Sequence, residues 1–192
     1  MKGATIPVMK ERTMFAQEFL KHRKKVASPT PTSDSSAIKI CSFVPYSPDN
    51  KIVEYGPGTG AITKYLINKL GNESQLVLIE ENRRFCNTLE NRFGNDPKIS
   101  IFNKPAENVK SILEKLAISE IDYIVSGIPF TFLSPEQIDV ILQTSRDFLA
   151  SDGQFIAYQI KDSIMTHLER YFRNVESEKI HHSPLTIYRA WN

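Results

Sequence analysis

The sequence has only two cysteines, Cys41 and Cys86, among 192 residues, so a disulfide framework is excluded as the basis of its fold. No apolar run approaches the roughly 20 residues that a membrane-spanning helix requires. The first twelve residues also lack the hydrophobic region of a signal peptide. A chain of this length can bury roughly 70% of its unfolded surface, so its core needs no disulfide or metal. We therefore expect a compact protein with reduced thiols, made and kept inside the cell.

Charge is nearly balanced overall but is unevenly distributed along the chain. Residues 1–30 hold seven Lys or Arg and two Glu, a net charge of +5, whereas the other 162 residues hold 17 basic and 20 acidic residues, a net charge of −3. Read as a helix, residues 9–26 gather Phe15, Phe19 and Leu20 on one face and lysines in the last turns. This pattern predicts a basic amphipathic arm that meets a polyanion, either nucleic acid or an anionic membrane surface, or that packs its apolar stripe on the body.

The remaining sequence reads as an α/β body. Residues 28–36, with two prolines and many hydroxyl side chains, predict an extended linker that ends in the N-cap of a short helix over about 37–43. Short β-branched runs then alternate with helical patterns, which predicts right-handed β-α-β crossovers and a parallel sheet covered on both faces. The predicted strands are 51–55, 75–80, 100–102, 123–126, 154–160, 174–180 and 185–191, and the predicted helices are 61–70, 83–92, 105–116, 135–149 and 163–171. Only four residues join the last two strands, too few for a parallel crossover, so the last strand should be antiparallel.

A glycine-rich turn follows the first predicted strand, with the sequence Glu54-Tyr55-Gly56-Pro57-Gly58-Thr59-Gly60. Glycines permit backbone dihedral angles closed to other residues and let a ligand touch the main chain at a helix N-terminus. Glu80 ends the second predicted strand, where its carboxylate can accept hydrogen bonds from ribose hydroxyls. The G-x-G-x-G spacing differs from the G-x-G-x-x-G of dinucleotide-binding folds, although a dinucleotide-type site and an ordinary glycine-rich turn remain as alternatives.

This combination resembles motif I and the following acidic residue of S-adenosylmethionine-dependent methyltransferases of the Rossmann-like class. The resemblance implies a mostly parallel seven-stranded sheet within residues 31–192 and S-adenosylmethionine as cofactor. It implies that Glu54 supports the methionine amino end and that Glu80 holds the ribose. Pro105 stands where the family often has an Asp before Ala, so the adenine contact would fall to the Ala106 backbone. The other residues that the resemblance assigns to the cofactor are Thr32, Ser33, Gly56, Pro57, Gly58, Thr59, Gly60 and Ser126.

The methyl acceptor depends on the end of the fourth strand, Ser126-Gly127-Ile128-Pro129-Phe130. The rRNA adenine dimethylases, which this chain resembles, use an Asn or Asp in N-L-P-Y or N-I-P-F to bind the target amine, and Gly127 cannot do so. They also add a C-terminal helical RNA-binding domain, whereas this sequence ends with its last predicted strand, so nucleic acid is not expected as a partner. The motif instead resembles the S-G-L-P of the related bacterial phospholipid N-methyltransferases, as do the basic arm, residues 31–33 and residues 184–190. That resemblance implies the amine of phosphatidylethanolamine as substrate.

Candidate catalytic residues lie around this segment. Each methylation of an amine leaves a cation that aromatic faces can hold, and a histidine could take the amine's proton. The alternatives are that the aromatic residues belong to the sheet core and that the histidines are solvated loop residues. The candidates are Ser126, Pro129, Phe130, Phe132, Tyr158, His181 and His182.

These observations predict a methyltransferase at the cytoplasmic face of the membrane, held there by its basic arm, with no obligate protein partner. A methyltransferase of RNA or of a small amine is the alternative within enzymes. A protein that binds S-adenosylmethionine without catalysis is the alternative outside them.

Overall fold

The computed structural model describes residues 32–160 and 164–192, and the predicted arm over residues 1–30 lies outside the described residues. The strands are β1 (Lys51–Tyr55), β2 (Gln75–Ile79), β3 (Ile99–Phe102), β4 (Ile121–Ser126), β5 (Leu149–Gln159), β6 (Asn174–Lys179) and β7 (Thr186–Trp191). The α-helices are α1 (Asp34–Cys41), α2 (Thr63–Leu66), α3 (Arg83–Phe93), α4 (Val109–Lys115), α5 (Pro135–Phe148) and α6 (Met165–Tyr171). Short 3-10 helices cover Ile67–Lys69, Ala106–Asn108 and Phe130–Phe132.

The seven strands form one sheet in the order β3-β2-β1-β4-β5-β7-β6. Strands β1 to β5 are parallel to one another, and β7 runs antiparallel to both β5 and β6. The predicted fold class, a mostly parallel Rossmann-like sheet with an antiparallel last strand, is therefore confirmed. Because the strand order reverses between β1 and β4, a crevice is expected beyond the carboxyl ends of these two strands.

Apolar side chains cover both faces of the sheet. On one face, β-strand residues such as Val53, Val77 and Phe155 pack with helices α4, α5 and α6. On the other face, Ile52 and Leu76 pack with helices α1, α2 and α3. The continuous apolar runs of the central strands follow from burial on both sides.

Among the predicted boundaries that differ from the structure, two have a clear physical cause. The first helix begins at Asp34, three residues early, because Ser33 has an extended backbone and its Oγ accepts a hydrogen bond from the Ser36 backbone N–H. Strand β5 begins at Leu149, where the sequence predicted the end of a helix, because Leu149 pairs with Ile121 across a register shift. Gly153 lies within this strand.

Within residues 32–160 and 164–192, no helix combines the length and the apolar character that crossing a bilayer would require.

Candidate functional site

A cavity of about 390 Å³ lies beyond the carboxyl ends of β1 and β4, at the point where the strand order reverses. Its volume lies within the range of small-molecule sites. We call its two sides the turn half and the β4–β5 half. The turn half contains Gly56, Pro57, Gly58, Ala61, Ile79, Glu80, Glu81, Phe85, Lys104, Pro105, Ala106 and Glu107. The β4–β5 half contains Gly127, Ile128, Pro129, Thr131, Phe132, Leu133, Tyr158, Gln159, Ile160 and Leu185, and Thr32, Gln137 and Ile141 complete the lining.

The glycine turn after β1 depends on backbone conformations that favour glycine. Gly56, Gly58 and Gly60 all have positive φ angles, of 65°, 60° and 89°. Helix α3 supports the turn from behind, because Arg92 donates a hydrogen bond to the Thr59 carbonyl. A Cβ at Gly60 would lie 2.5 Å from Cε2 of Phe93, so the turn packs directly against the end of this helix.

Glu80, directly after β2, is connected to the glycine turn by a hydrogen bond. Its Oε2 accepts the Gly58 backbone N–H at 2.9 Å, and its Oε1 accepts the Asn82 backbone N–H at 2.7 Å. Burial raises the pKa of Glu80 to about 7, opposed by these two hydrogen bonds. The carboxylate therefore stands in the cavity wall as an acceptor oriented by the main chain.

Glu54 lies behind the turn and is fully buried. Its Oε2 accepts the Thr63 hydroxyl at 2.7 Å, whereas its Oε1 is buried without a hydrogen-bond partner among the described residues. Burial raises the pKa of Glu54 to about 8, opposed by the Thr63 hydrogen bond and reinforced by the charge of Glu80. An unpartnered carboxylate oxygen inside the protein is costly, and a cation near it would favour its ionised form.

The β4–β5 half is mostly apolar and has few polar groups. Its walls include Ile128, Leu133 and Leu185, while Phe132 and Ile160 remain 47% and 52% exposed. Large exposed apolar side chains at a cavity indicate a ligand or partner with an apolar part.

The structure brings together about half of the residues that the sequence predicted for this site. The predicted residues that line the cavity are Thr32, Gly56, Pro57, Gly58, Glu80, Ala106, Pro129, Phe132 and Tyr158. The predicted residues outside its lining are Ser33, Glu54, Thr59, Gly60, Ser126, Phe130, His181 and His182.

The predicted residues outside the lining are either buried or exposed in a loop. Ser126 is fully buried, and its Oγ has no hydrogen-bond partner in the part of the chain that the structure describes. Phe130 is 2% exposed and packs in the core, in line with the alternative that this aromatic residue belongs to the sheet core. His181 and His182 are exposed in the β6–β7 loop, with their rings in edge contact at 3.9 Å between centroids.

Other contributors to the site could not be found from sequence patterns. Gln137 donates a hydrogen bond to Glu107 across the cavity wall and also closes the capping box of α5 with Ser134. The S-x-x-Q spacing of that capping box was the available signal, but it indicates a helix start and not a site. Gln159 lines the cavity, and its Nε2 is buried with no partner among the residues described.

A family model described as ribosomal RNA adenine dimethylase matches residues 8–148. An ornithine lipid N-methyltransferase of Singulisphaera acidiphila is 26% identical over 147 residues, covering 77% of this chain and 77% of that protein. A ribosomal RNA small subunit methyltransferase A of Geobacter metallireducens is 30% identical over 101 residues, covering 53% of this chain but only 30% of that protein.

Solved structures resemble the fold. Human methyltransferase-like protein 13 in complex with SAH aligns with a TM-score of 0.64 at 15% identity, over 84% of this chain and 82% of that chain. A precorrin-6y C5,15-methyltransferase from Geobacter metallireducens aligns with a TM-score of 0.67 at 14% identity, over 84% of this chain and 89% of that chain. At these identities the likeness concerns the fold.

Proposed function

This chain belongs to the ribosomal RNA adenine dimethylase family and is an S-adenosylmethionine-dependent methyltransferase, and we propose that its methyl acceptor is the primary amine of a membrane lipid headgroup. The observation that carries the proposal is the β4–β5 half of the cavity, which has a glycine at 127 and apolar walls. A long-chain lipid amine suits such a wall better than a polar nucleotide does. The similarity to an ornithine lipid N-methyltransferase over most of both chains supports the same acceptor class.

The residues of the turn half fit the cofactor. The main chain of Gly56 and Gly58 is open to the cavity, and Glu80 offers carboxylate oxygens for ribose hydroxyls. The unpartnered Oε1 of Glu54 supplies negative charge behind the turn, suited to a ligand with a cationic amino group. When bound, the cofactor supplies a sulfonium methyl whose C–S bond electrons stay on sulfur as the acceptor nitrogen forms the new bond.

The protein's remaining task is to align a neutral amine with that methyl. Aliphatic ammonium groups have pKa values of about 10, so one proton must leave before the lone pair can attack. After methyl transfer the nitrogen carries a positive charge, which the exposed face of Phe132 and the ring of Tyr158 can stabilise before a proton passes to water.

Replacing Glu80 by glutamine is expected to weaken S-adenosylmethionine binding about 10-fold. The amide keeps one oxygen acceptor but presents an NH₂ donor to the backbone N–H of Gly58 or Asn82, and a hydrogen bond to a charged group contributes about 1.5–3 kcal/mol. Isothermal titration calorimetry measures the affinity. Glu73→Gln is the control, since Glu73 is exposed, lies outside the cavity lining and takes no part in either of these hydrogen bonds. Unchanged affinity in Glu80→Gln would remove Glu80 from the cofactor site.

The acceptor proposal is tested by methyl transfer from radiolabelled S-adenosylmethionine in three parallel reactions. These contain vesicles with phosphatidylethanolamine, vesicles with ornithine lipid, and a small-subunit rRNA fragment. Label in either lipid supports the proposal, and the two vesicle reactions distinguish the headgroups. Label confined to RNA would overturn it in favour of the nucleic acid acceptor, and label in no substrate would also count against it.

We also propose that residues 1–30 hold the protein on anionic membranes, on the basis of their charge and apolar periodicity. Neutralising Lys21, Lys24 and Lys25 to Gln in the full chain should weaken vesicle binding, since each basic residue near an anionic surface contributes about 1 kcal/mol. Flotation with anionic vesicles at low and high salt measures the effect. Equal flotation of the variant and the natural chain at low salt would refute this role.

A further inference from the structure

Gly127, at the end of β4, is a glycine for reasons of space and not of backbone conformation. Its φ angle is not in the positive range that favours glycine. A Cβ at this position would lie 2.2 Å from the hydroxyl oxygen of Tyr158 and 2.8 Å from its Cζ. Real Cβ atoms essentially never come so close to another atom, so the Tyr158 phenol occupies the room that any side chain at 127 would need. Gly127, directly after β4, and Tyr158 of β5 are therefore sterically complementary. We call this relation the pairing of Gly127 with Tyr158.

The Tyr158 hydroxyl stands where the two halves of the cavity meet. The same Cβ position at 127 is 3.2 Å from the Gly56 carbonyl oxygen, so the hydroxyl lies beside both the glycine turn and the end of β4. The backbone N–H of Gly127 donates to the Tyr55 carbonyl at 2.8 Å, which fixes the end of β4 against the turn. Tyr158 lines the cavity, and its oxygen accepts a hydrogen bond from the hydroxyl of Thr32, another lining residue.

The hydroxyl keeps its proton under working conditions. Burial, together with the negative charge of Glu54, raises the pKa of Tyr158 above its ordinary value. A neutral phenol has one donor and free acceptor capacity on the same oxygen. Its oxygen can accept from the Thr32 hydroxyl and at the same time from an N–H of a neutral amine, which leaves the amine lone pair free.

We propose that the Tyr158 hydroxyl contacts the substrate amine and directs its lone pair toward the methyl donor, and that Gly127 exists to make room for it. This inference rests on the proposed function, since it requires an amine acceptor. In the transfer, the nitrogen lone pair forms the N–C bond and the C–S electrons remain on sulfur. The extra proton of the resulting ammonium passes to water, and Tyr158 retains its own proton throughout.

Tyr158→Phe tests the hydroxyl with little change to packing. One hydrogen bond of ordinary strength corresponds to about a 10-fold effect, so kcat should fall about 10-fold. The KM for the lipid and the affinity for S-adenosylmethionine should stay within about twofold. Tyr123→Phe is the matched control, because Tyr123 is a half-buried tyrosine of β4 outside the cavity lining. Full turnover by Tyr158→Phe, or an equal loss of kcat and of cofactor affinity, would overturn the proposal.

Gly127→Ala tests the pairing independently. In the natural chain it should lower both the melting temperature and turnover, because the new Cβ must displace a ring held in the sheet. In a Tyr158→Leu background, where the phenol is absent, the same change should lower the melting temperature much less. Equal effects in the two backgrounds would refute the pairing. A natural chain that methylates no lipid amine would refute the proposed function instead, so the two failures are distinguishable.

Discussion

Glu54→Gln is expected to stabilise the ligand-free protein at pH 8 and to weaken S-adenosylmethionine binding by about 10- to 100-fold. Glu54 is fully buried, and one of its two carboxylate oxygens has no partner among the described residues. Its ionised form is therefore unfavourable until a cation is bound nearby. A buried charge-assisted contact contributes about 1.5–3 kcal/mol, which sets the expected loss of affinity.

The pH dependence of stability follows from the same carboxyl group. Its pKa is raised from 4.5 when unfolded to about 8 when folded, so the folded state binds more protons between these values. The stability of the ligand-free protein should then fall as pH rises from about 4.5 to about 8, by an amount on the order of 3–5 kcal/mol. Below this window the contribution is fully present, and above it the contribution is lost. Glu80, with a pKa of about 7, adds in the same direction up to that pH.

Chemical denaturation of the natural chain and of Glu54→Gln at pH 5, 6, 7 and 8 measures this effect, and calorimetry measures the affinity. The variant should show a shallower decline of unfolding free energy across the series. Glu114→Gln is the control, because Glu114 is exposed on α4 and should leave the profile unchanged. Parallel profiles for the natural chain and Glu54→Gln would contradict the prediction, as would unchanged cofactor affinity.

Gly60→Ala is expected to destabilise the fold by about 2–5 kcal/mol. The φ of 89° costs an alanine about 1–2 kcal/mol, and the 2.5 Å approach to Phe93 adds an overpacking cost of about 1–3 kcal/mol. Denaturant unfolding measures the change. Cofactor affinity should fall as well, because the turn that supports Gly58 and Glu80 must move.

A double-mutant cycle separates the two causes of this loss. Combining Gly60→Ala with Phe93→Ala removes the steric clash but leaves the unfavourable φ angle, so the cost of Gly60→Ala should shrink without vanishing. The Phe93→Ala single variant supplies the reference. Additive effects would mean that the close packing of α3 on the turn is not a source of strain.

Local patterns predicted much of the fold and half of the site. The alternation of β-branched runs and helical segments predicted the parallel sheet, and the four-residue link before β7 predicted its antiparallel last strand. The glycine spacing and Glu80 are local to one β-α-β unit, and the structure joins them through the hydrogen bond from the Gly58 backbone N–H to Glu80. The predicted start of the first helix and the predicted start of the fifth strand were wrong. The helix begins at Asp34 because of a cap hydrogen bond, and the strand begins at Leu149 because of a sheet pairing, and both outweighed the local propensities.

The arrangement of the β4–β5 half of the cavity could not be predicted from the sequence as fully as the turn half. The sequence shows that Gly127 cannot bind an amine, but not that the hydroxyl of Tyr158, a residue of the next strand, fills the space beside it. The aromatic candidates looked alike in sequence, yet Phe130 is packed in the core while Phe132 is 47% exposed at the cavity. Arg92 and Phe93 lie at the end of a helix with no motif, and only packing brings them against the glycine turn.

By itself the amino-acid sequence determined the class of fold, the family and the glycine turn, because those depend on residue types at short, regular separations. Only the tertiary structure decided which groups line the cavity beside that turn. A cavity at a reversal of strand order is built from residues of separate strands, and a side chain's direction there is set by the packing of those strands on both faces of the sheet.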